Sequence, residues 1–176
     1  GTVVFAGEQI QDASVHRICH LGISRTFQLP SVFDSQTALA NVLAGAQFGG
    51  GAGWWTSLRA SGAVVDSARA ELDFVGLGDR SAALAGPMPV FDKKRLMIAS
   101  ALATHPKMLF LDEPFEGIDA VASRQIKDLL QSYVSRGGTI FLTSHILEIV
   151  ERLSTHIGVI VKGRLVAQGT MAEIRS

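Results

Sequence analysis

Two short, continuously apolar runs in the C-terminal half most constrain the fold. Met108–Leu111 (MLFL) and Thr139–Thr143 (TIFLT) have the pattern of strands that are covered on both faces. Between them, residues 121–134 form an amphipathic helical pattern that Gly137-Gly138 closes, a common signal at a helix C-terminus. Because strand–helix–strand crossovers join parallel strands, the sequence predicts a mainly parallel sheet in this half.

Apolar spacing and glycine or proline breaks predict the other elements. Strands are predicted at 2–6 and 22–28 and in a hairpin of 157–161 with 164–167, and helices at 12–20, 35–46, 64–75, 93–105, 145–153 and 171–175. The helix at 93–105 is apolar almost all round and is expected to be well buried. The order is therefore strands, a helical block, and then alternating strands and helices.

The composition limits the classes of function. Lys plus Arg and Asp plus Glu both number 16, and the resulting zero net charge argues against a general nucleic-acid binder, which needs a basic face. With 47% apolar residues among 176, the chain is long enough for one domain with a buried core. The single cysteine, Cys19, excludes an internal disulfide framework and a cysteine-based zinc cluster. No run approaches the roughly 18 apolar residues of a membrane span, so we expect any membrane role to come through a partner.

Two carboxylates follow the first apolar run. Asp112 and Glu113 stand where the predicted strand emerges, and Pro114 ends it. Ligands of open parallel sheets bind at the carboxyl ends of the strands. One carboxylate at that edge can hold Mg²⁺ and its neighbour can polarise an attacking water. The alternative is a strand that ends in two solvated acids, which is common.

A histidine follows the second apolar run. His145 comes directly after Ser144, beyond TIFLT. Parallel strands joined by one helix often lie side by side, so His145 is predicted to reach the same sheet edge as Glu113. A histidine there can contact a γ-phosphate and orient water. A purely structural histidine at a strand end is the alternative.

Taken together, these segments resemble the ATP-binding subunits of ABC transporters. Met108–Pro114 is similar to the Walker B motif, Phe115–Asp119 to the D-loop, Thr143–His145 to the switch histidine and Arg25–Gln28 (RTFQ) to the Q-loop. LANVL at 39–43 and GRLVAQGTMAEI at 163–174 also match family segments. The resemblance implies an α/β fold with a P-loop NTPase-like core at 1–34 and 107–176. A helical subdomain at 35–106, including the signature region, would interrupt that core.

The resemblance also implies a role for each motif residue. Asp112 would hold the Mg²⁺ shell, and Gln28 would complete it and sense a membrane permease. Glu113 would polarise the lytic water, and His145 would clamp the γ-phosphate of ATP. Two such domains would enclose ATP head to tail, with Asp119 at the dimer contact.

The sequence departs from the family at the LSGGQ signature, which aligns with Met88–Asp92 (MPVFD). In the family this motif closes over the γ-phosphate bound to the opposite subunit. Here Pro89 has no N–H to donate, and Val90 and Phe91 prevent the close backbone approach that glycine allows. The following helix N-terminus still favours an anion through its dipole. We therefore expect a weakened or asymmetric composite site.

A second departure concerns the phosphate-binding loop. No G-x-x-x-x-G-K-[ST] motif occurs in the 176 residues, although this loop supplies the backbone cradle and lysine for the phosphates. We expect the first strand, the loop and its helix to lie upstream of Gly1, and the 176 residues alone to be inactive. A naturally degenerate module is the alternative.

The resemblance implies ATP and Mg²⁺ as cofactors and a second nucleotide-binding domain as a partner. It further implies integral-membrane permease subunits, a peripheral position on the cytoplasmic face of the membrane and, for an importer, an extracytoplasmic solute-binding protein. GISRTFQ with LANVLAGA is most similar to branched-chain amino acid importers, whereas TIFLTSHILEIVERL is more similar to drug or lipid exporters. The alternative function is that of a non-hydrolysing regulatory partner in a heterodimer. An ABC ATPase that acts on nucleic acid or ribosomes is disfavoured by the zero net charge.

Other candidate residues are less informative. The glycines of 49–53 indicate a flexible connection, because a glycine cluster alone does not bind phosphate. Trp54 and Trp55 would pack the helical block or lie in a groove for a permease. His16 and His20 are four residues apart, with no evident third metal ligand.

Overall fold

Seven strands and seven α-helices occur within residues 1–49 and 62–175, the part of the chain that the computed structural model describes. The strands are β1 (Val4–Phe5), β2 (Glu8–Gln9), β3 (Ile23–Arg25), β4 (Met108–Asp112), β5 (Thr139–Thr143), β6 (Ile157–Val161) and β7 (Arg164–Gly169). The helices are α1 (Val15–Leu21), α2 (Ala38–Gly49), α3 (Gly62–Phe74), α4 (Val90–Leu102), α5 (Ala120–Ser135), α6 (Leu147–Leu153) and α7 (Met171–Arg175). Trp54, Trp55 and most of the predicted glycine loop lie outside the described residues.

A parallel sheet of β3, β4 and β5 forms the centre of the first part of the chain. β4 lies between the other two strands and pairs in parallel with both. Ile23 is opposite Met108, and Asp112 is opposite Thr143. The predicted α/β fold with a parallel sheet is therefore confirmed.

The two apolar runs differ in burial. Leu109 and Leu111 of β4 are fully buried, as the sequence predicts for a central strand. The prediction that β5 is buried on both faces is wrong, because its residues alternate between exposed and half-buried and Phe141 is 55% exposed. β5 is the terminal strand of this sheet within the described residues, and one of its faces is open.

The helices of the middle block pack on one another through small and branched side chains. The fully buried Val42 of α2, Leu72 of α3, and Leu96 and Ile98 of α4 contribute to this core. The predicted burial of α4 is confirmed. Its predicted bounds are wrong, because it begins at Val90 rather than at residue 93 and ends three residues earlier.

Proline chemistry explains where α4 begins. Pro89 is the N-cap residue, with φ −55° fixed by its ring and ψ 154°, and at this position its missing N–H removes no hydrogen bond of the helix. The chain leaves the helix through His105, whose φ of +52° is incompatible with a continuing right-handed helix. α4 therefore begins inside the predicted signature segment, at Val90, rather than after it.

The ends of the N-terminal elements depend on short-range contacts that the apolar pattern does not show. The two-residue strand β2, which pairs antiparallel with β1, was not predicted. α1 begins at Val15 because the Ser14 side chain accepts a hydrogen bond from the Arg17 N–H, an N-cap interaction. Cys19 on this helix is half-buried, and burial raises the pKa of its thiol.

The described chain divides into two compact units, Gly1–Thr143 and Ser144–Ser176. The second unit contains α6, the antiparallel hairpin of β6 and β7, and α7. Within it, the Glu173 carboxylate accepts hydrogen bonds from the N–H and hydroxyl of Thr170 at the start of α7. The division into a core at 1–34 and 107–176 and a helical subdomain at 35–106 stays a prediction. No helix within the described ranges has the length and apolar character needed to cross a bilayer.

One glycine marks a close approach between α2 and α4. A Cβ atom added to Gly45 would lie 2.1 Å from the backbone oxygen of Ser100. Glycine inside a helix costs about 1 kcal/mol relative to alanine, so the close contact, and not helix propensity, explains this residue.

We therefore predict that Gly45→Ala destabilises the protein by about 3 kcal/mol, because the new methyl group forces α2 away from α4. Equilibrium urea unfolding measures the change. The matched control is Gly62→Ala at the start of α3, where an added Cβ has no atom of the described residues within 4 Å. Equal stability of the two variants would contradict the close packing of α2 on α4.

Candidate functional site

Asp112 is the last residue of β4 and is held by groups from both neighbouring strands. The Thr143 hydroxyl donates to Asp112 Oδ1 at 2.6 Å, and Arg25 Nη2 donates to Oδ2 at 3.3 Å. The hydrogen bond from Thr143 lowers the pKa of the Asp112 carboxyl, and Arg25 adds to the shift. Asp112 is therefore ionised at neutral pH, and its side chain is 34% exposed.

Glu113 has its backbone fixed on two sides. Its N–H donates to both the carbonyl oxygen and the hydroxyl oxygen of Thr143, each at 3.2 Å. Its carbonyl oxygen accepts a hydrogen bond from Lys94 Nζ at 3.1 Å and another from the Glu116 N–H at 3.2 Å. Its φ is +44°, in the left-handed region that glutamate rarely occupies. The chain thus turns sharply at the end of β4, and the half-buried Glu113 lies at this turn rather than continuing the strand.

Lys94 is a site residue that sequence analysis missed. It lies on α4 and is only 3% exposed. Burial lowers the pKa of its ammonium, while the charges of Glu116 and Glu113 act in the opposite direction. The sequence places Lys94 between Lys93 and Arg95 at the start of α4, and nothing in it indicated which of the three is buried or what Lys94 contacts.

Gln28 follows β3 and is linked to the segment after β4. Its Nε2 donates to Glu116 Oε2 at 2.7 Å. The backbone leading to Gln28 is aligned with β4, because the Thr26 N–H donates to the Phe110 carbonyl oxygen at 2.9 Å. The structure therefore brings the segments of Gln28, Asp112 and Glu113 to one edge of the sheet.

The three replaced signature residues lie at the start of α4. Pro89 is the N-cap, and Val90 and Phe91 begin the first turn. The Phe91 ring lies under the Arg95 guanidinium, 4.4 Å from its carbon to the ring centroid. Val90 is 51% exposed, so this turn presents an apolar surface together with a helix N-terminus.

A buried ion-pair cluster supports the same turn. Asp92 is 4% exposed and bonds both Arg80 and Arg95. Arg95 also donates to the carbonyl oxygens of Val75 and Gly76, each at 3.1 Å. These bonds tie the start of α4 to the segment that directly follows α3.

Asp119 and His145 lie further along the chain. Asp119 is the N-cap of α5, and its Oδ1 accepts a hydrogen bond from the Ala122 N–H at 2.8 Å. Its predicted place at a dimer contact stays a prediction. His145 stands before α6 in the second unit. Because it and Glu113 belong to different units, the predicted approach of the two also stays a prediction.

The donor set of this edge fits Mg²⁺. Within residues 1–49 and 62–175, no group of three or more His, Cys, Asp or Glu side chains is arranged to hold a metal ion. Magnesium in proteins is commonly held by one or two carboxylates together with waters and substrate phosphates. An ionised, partly exposed Asp112 meets that requirement, and the Gln28 amide can supply a second oxygen.

Comparison with known proteins gives consistent matches. The family model described as ABC transporter matches residues 1–116. The chain is 34% identical over 155 residues to a fluoroquinolones export ATP-binding protein of Mycobacterium tuberculosis, covering 88% of this chain and 47% of that protein. It is 30% identical over 183 residues to a high-affinity branched-chain amino acid transport ATP-binding protein of Pseudomonas aeruginosa, covering 99% and 72%. The chain thus spans about half the length of the first of these relatives.

Solved structures agree with the sequence comparisons. A nucleotide-free ATP-binding cassette from an ABC transporter superposes with a TM-score of 0.86 at 28% identity, covering 99% of this chain and 72% of that one. An ATP-binding cassette in its ADP conformation gives 0.84 at 28% identity, covering 98% and 70%. The family model covers well over half of the chain, and the relatives and structures agree with it. The chain therefore belongs to the ABC transporter family.

Proposed function

We propose that the protein is the ATP-binding and ATP-hydrolysing subunit of an ABC transporter, which drives a solute through partner permease subunits. The observation that carries the proposal is the arrangement at the end of β4. Asp112 is held ionised by Thr143, and the backbone of Glu113 is fixed between Thr143 and Lys94. Catalysis of phosphoryl transfer depends mainly on positioning and electrostatics, which such an arrangement supplies.

Asp112 and Gln28 are the residues proposed to hold Mg²⁺. When bound, the ion would neutralise charge on the phosphates of ATP. Asp112 suits the role because its lowered pKa keeps it charged throughout the neutral range. The Gln28 amide nitrogen donates a hydrogen bond to Glu116, which leaves the amide oxygen available as a ligand for Mg²⁺.

Glu113 is proposed to polarise the attacking water. A carboxylate next to the metal-binding residue, on a rigid turn, can accept a proton from water as a general base. His145 is proposed to contact the γ-phosphate and to orient the same water. This second assignment rests on the resemblance of Thr143–His145 to the switch histidine of the family.

The proposal includes a second nucleotide-binding domain. Family members enclose ATP between two domains, and Asp119 is the residue proposed to lie at that contact. The start of α4, with Pro89, Val90 and Phe91, would face the nucleotide of the opposite domain. Because it lacks glycines for close backbone approach, we expect this composite site to be weakened.

A permease partner is supported by the exposed apolar side chains beyond β3. Phe27, Leu29 and Phe33 are 56%, 77% and 60% exposed and flank Gln28 or follow it closely. Exposed aromatic residues favour protein interfaces. Docking there would place the protein on the cytoplasmic face of the membrane and would connect the permease to Gln28.

Branched-chain amino acids are the proposed substrate class, delivered to the permease by an extracytoplasmic solute-binding protein. The relatives from Pseudomonas aeruginosa and Archaeoglobus fulgidus that are named for branched-chain amino acid transport support this choice. Export of a drug or lipid is the competing assignment. The relatives named for fluoroquinolones export in Mycobacterium tuberculosis and for daunorubicin/doxorubicin resistance in Streptomyces peucetius favour a drug.

A non-hydrolysing regulatory partner in a heterodimer is the second candidate function. The observation that favours it is the replacement of the signature by Pro89, Val90 and Phe91 at the start of α4. The hydrogen bonds that fix the Asp112 carboxylate and the Glu113 backbone favour ATP hydrolysis instead. Turnover by the purified full-length protein with its partner domain distinguishes the two.

Glu113→Gln is expected to slow ATP hydrolysis by the full-length protein at least about 100-fold, because the amide cannot accept the proton of the attacking water. ATP binding should remain, since the side chain keeps its shape. Phosphate release and equilibrium binding of ATP measure the two effects. Glu8→Gln, which alters an exposed ion pair with Arg17, is the control and should leave turnover unchanged. Unchanged turnover in Glu113→Gln would remove Glu113 from its proposed role.

Thr143→Val is expected to raise the pKa of Asp112, because the hydroxyl that stabilises the ionised carboxylate is lost. A depressed carboxyl pKa favours the folded state above the unfolded-state pKa and ceases to do so as the pH falls through the folded-state value. The variant should therefore begin to lose stability at a higher pH on acidification, and the acid limb of its pH–rate profile should move in the same direction, because Asp112 must be ionised to hold Mg²⁺. Carbon-detected carboxyl titration by NMR measures the shift directly.

The control for Thr143→Val is Thr26→Val, which removes a hydroxyl that contacts the Phe110 carbonyl oxygen rather than Asp112. Its Asp112 titration should match that of the unaltered protein. An Asp112 pKa that does not move in Thr143→Val would show that the hydroxyl has no electrostatic role.

A polypeptide of residues 1–176 is expected to bind ATP only weakly, because these residues contain no G-x-x-x-x-G-K-[ST] cradle for the phosphates. Isothermal titration calorimetry measures the affinity. A dissociation constant in the micromolar range would mean that another part of these residues holds the phosphates.

A further inference from the structure

Lys94 connects α4 to the segment that bears Glu113. Its side chain is buried and its Nζ donates to the Glu113 carbonyl oxygen at 3.1 Å. The same oxygen accepts the Glu116 N–H, so the ammonium contacts the point at which the turn of 113–116 is closed. The contact joins two segments that are separated by 19 residues in sequence.

The position of Lys94 on α4 connects this contact to the first turn of the helix. Lys94 lies four residues, about one helical turn, after Val90, so it stands above the first turn that carries Val90 and Phe91. A helix transmits a displacement along its axis as a rigid element. Movement of the start of α4 would therefore reach the Glu113 carbonyl through one side chain.

The charge of Lys94 also acts on this segment. Its ammonium interacts with the charges of Glu116 and Glu113, and Glu116 accepts a hydrogen bond from Gln28. The buried ammonium is thus placed among the groups that follow β4 and β3, and its removal would take away the positive charge that attracts both carboxylates.

We propose that Lys94 is the positioning residue of Glu113. It fixes the backbone of the 113–116 turn from α4, so that the position of the first turn of α4 determines where the Glu113 carboxylate points. The inference rests on the proposed function, because it assigns a role in hydrolysis to a contact that is itself structural. It makes Lys94 the link by which a nucleotide or partner domain at the start of α4 acts on the attacking water.

The neighbouring lysine provides the contrast. Lys93 bonds Asp34 at 2.8 Å, and the side chain of that aspartate is 67% exposed. Within the described part of the chain, the Lys93 ammonium thus bonds a residue outside the proposed catalytic segment. A buried charge is costly unless it is well paired, and an apolar residue would suit an interior position better for stability alone. A role in positioning explains why Lys94 occupies such a place.

The first test compares steady-state ATP hydrolysis by full-length Lys94→Met, Lys94→Arg and Lys93→Met. Lys94→Met keeps the side-chain volume but removes donor and charge, and we expect kcat to fall about 10- to 100-fold with KM within about twofold. Lys94→Arg keeps donor and charge and should recover part of the loss. Lys93→Met should retain normal kcat. Normal kcat in Lys94→Met, or an equal loss in Lys93→Met, overturns the proposal.

A double-mutant cycle separates positioning from a general structural effect. If Lys94 acts through Glu113, Lys94→Met should cause no further loss of turnover in the Glu113→Gln background. Additive losses overturn the proposal. If Lys94→Met does not fold, Lys94→Gln replaces it with the same expectations, since its shorter neutral side chain does not span the distance to the carbonyl oxygen.

Amide hydrogen exchange tests the contact independently of ATP hydrolysis. The peptide of residues 112–118 should exchange faster in Lys94→Met than in the unaltered protein, and at the normal rate in Lys93→Met. Unchanged exchange in Lys94→Met overturns the proposal that Lys94 fixes the backbone of the 113–116 turn. Absence of ATP hydrolysis in the unaltered protein would refute the proposed function, and the exchange of this peptide would still decide whether Lys94 positions Glu113.

Discussion

The parallel register of β4 and β5 is the constraint on which the site depends. Because Asp112 lies opposite Thr143, one threonine contacts two consecutive acidic residues, the carboxylate of Asp112 through its hydroxyl and the N–H of Glu113 through two oxygens. A shift of one residue would turn every side chain of β5 to the other face and remove both contacts. The charge state of Asp112 and the turn at Glu113 therefore follow from a single strand pairing.

The helical block positions α4, which contacts the site through Lys94. α4 approaches α2 closely at Gly45, and Asp92 ties its first turns to Arg80 and Arg95. Both contacts fix α4 in place, and so they also fix where Lys94 meets the Glu113 carbonyl oxygen. Packing remote from the acidic residues thus contributes to the geometry of the proposed catalytic segment.

The sequence predicted the sheet and the acidic pair but not the contacts that hold them. β4 and β5 follow from apolar runs, and the acids follow from the rule that parallel strands bind ligands at their carboxyl ends. Apolar composition alone did not reveal that Phe141 is exposed, because burial depends on what covers a face. The helix was predicted to begin at residue 93, after the signature segment, whereas α4 begins at Val90, inside that segment. The partner of Lys94 is a tertiary contact, and periodicity holds no information about it.

The left-handed backbone of Glu113 has a consequence for the balance between stability and activity. Holding a glutamate at φ +44° costs on the order of 1 kcal/mol relative to glycine, which occupies this region without strain. Selection for stability alone would thus favour glycine or asparagine at the end of β4. A carboxylate at a position whose backbone disfavours it indicates a stability–function trade-off, in which the fold tolerates local strain to keep an acid where the two strands end.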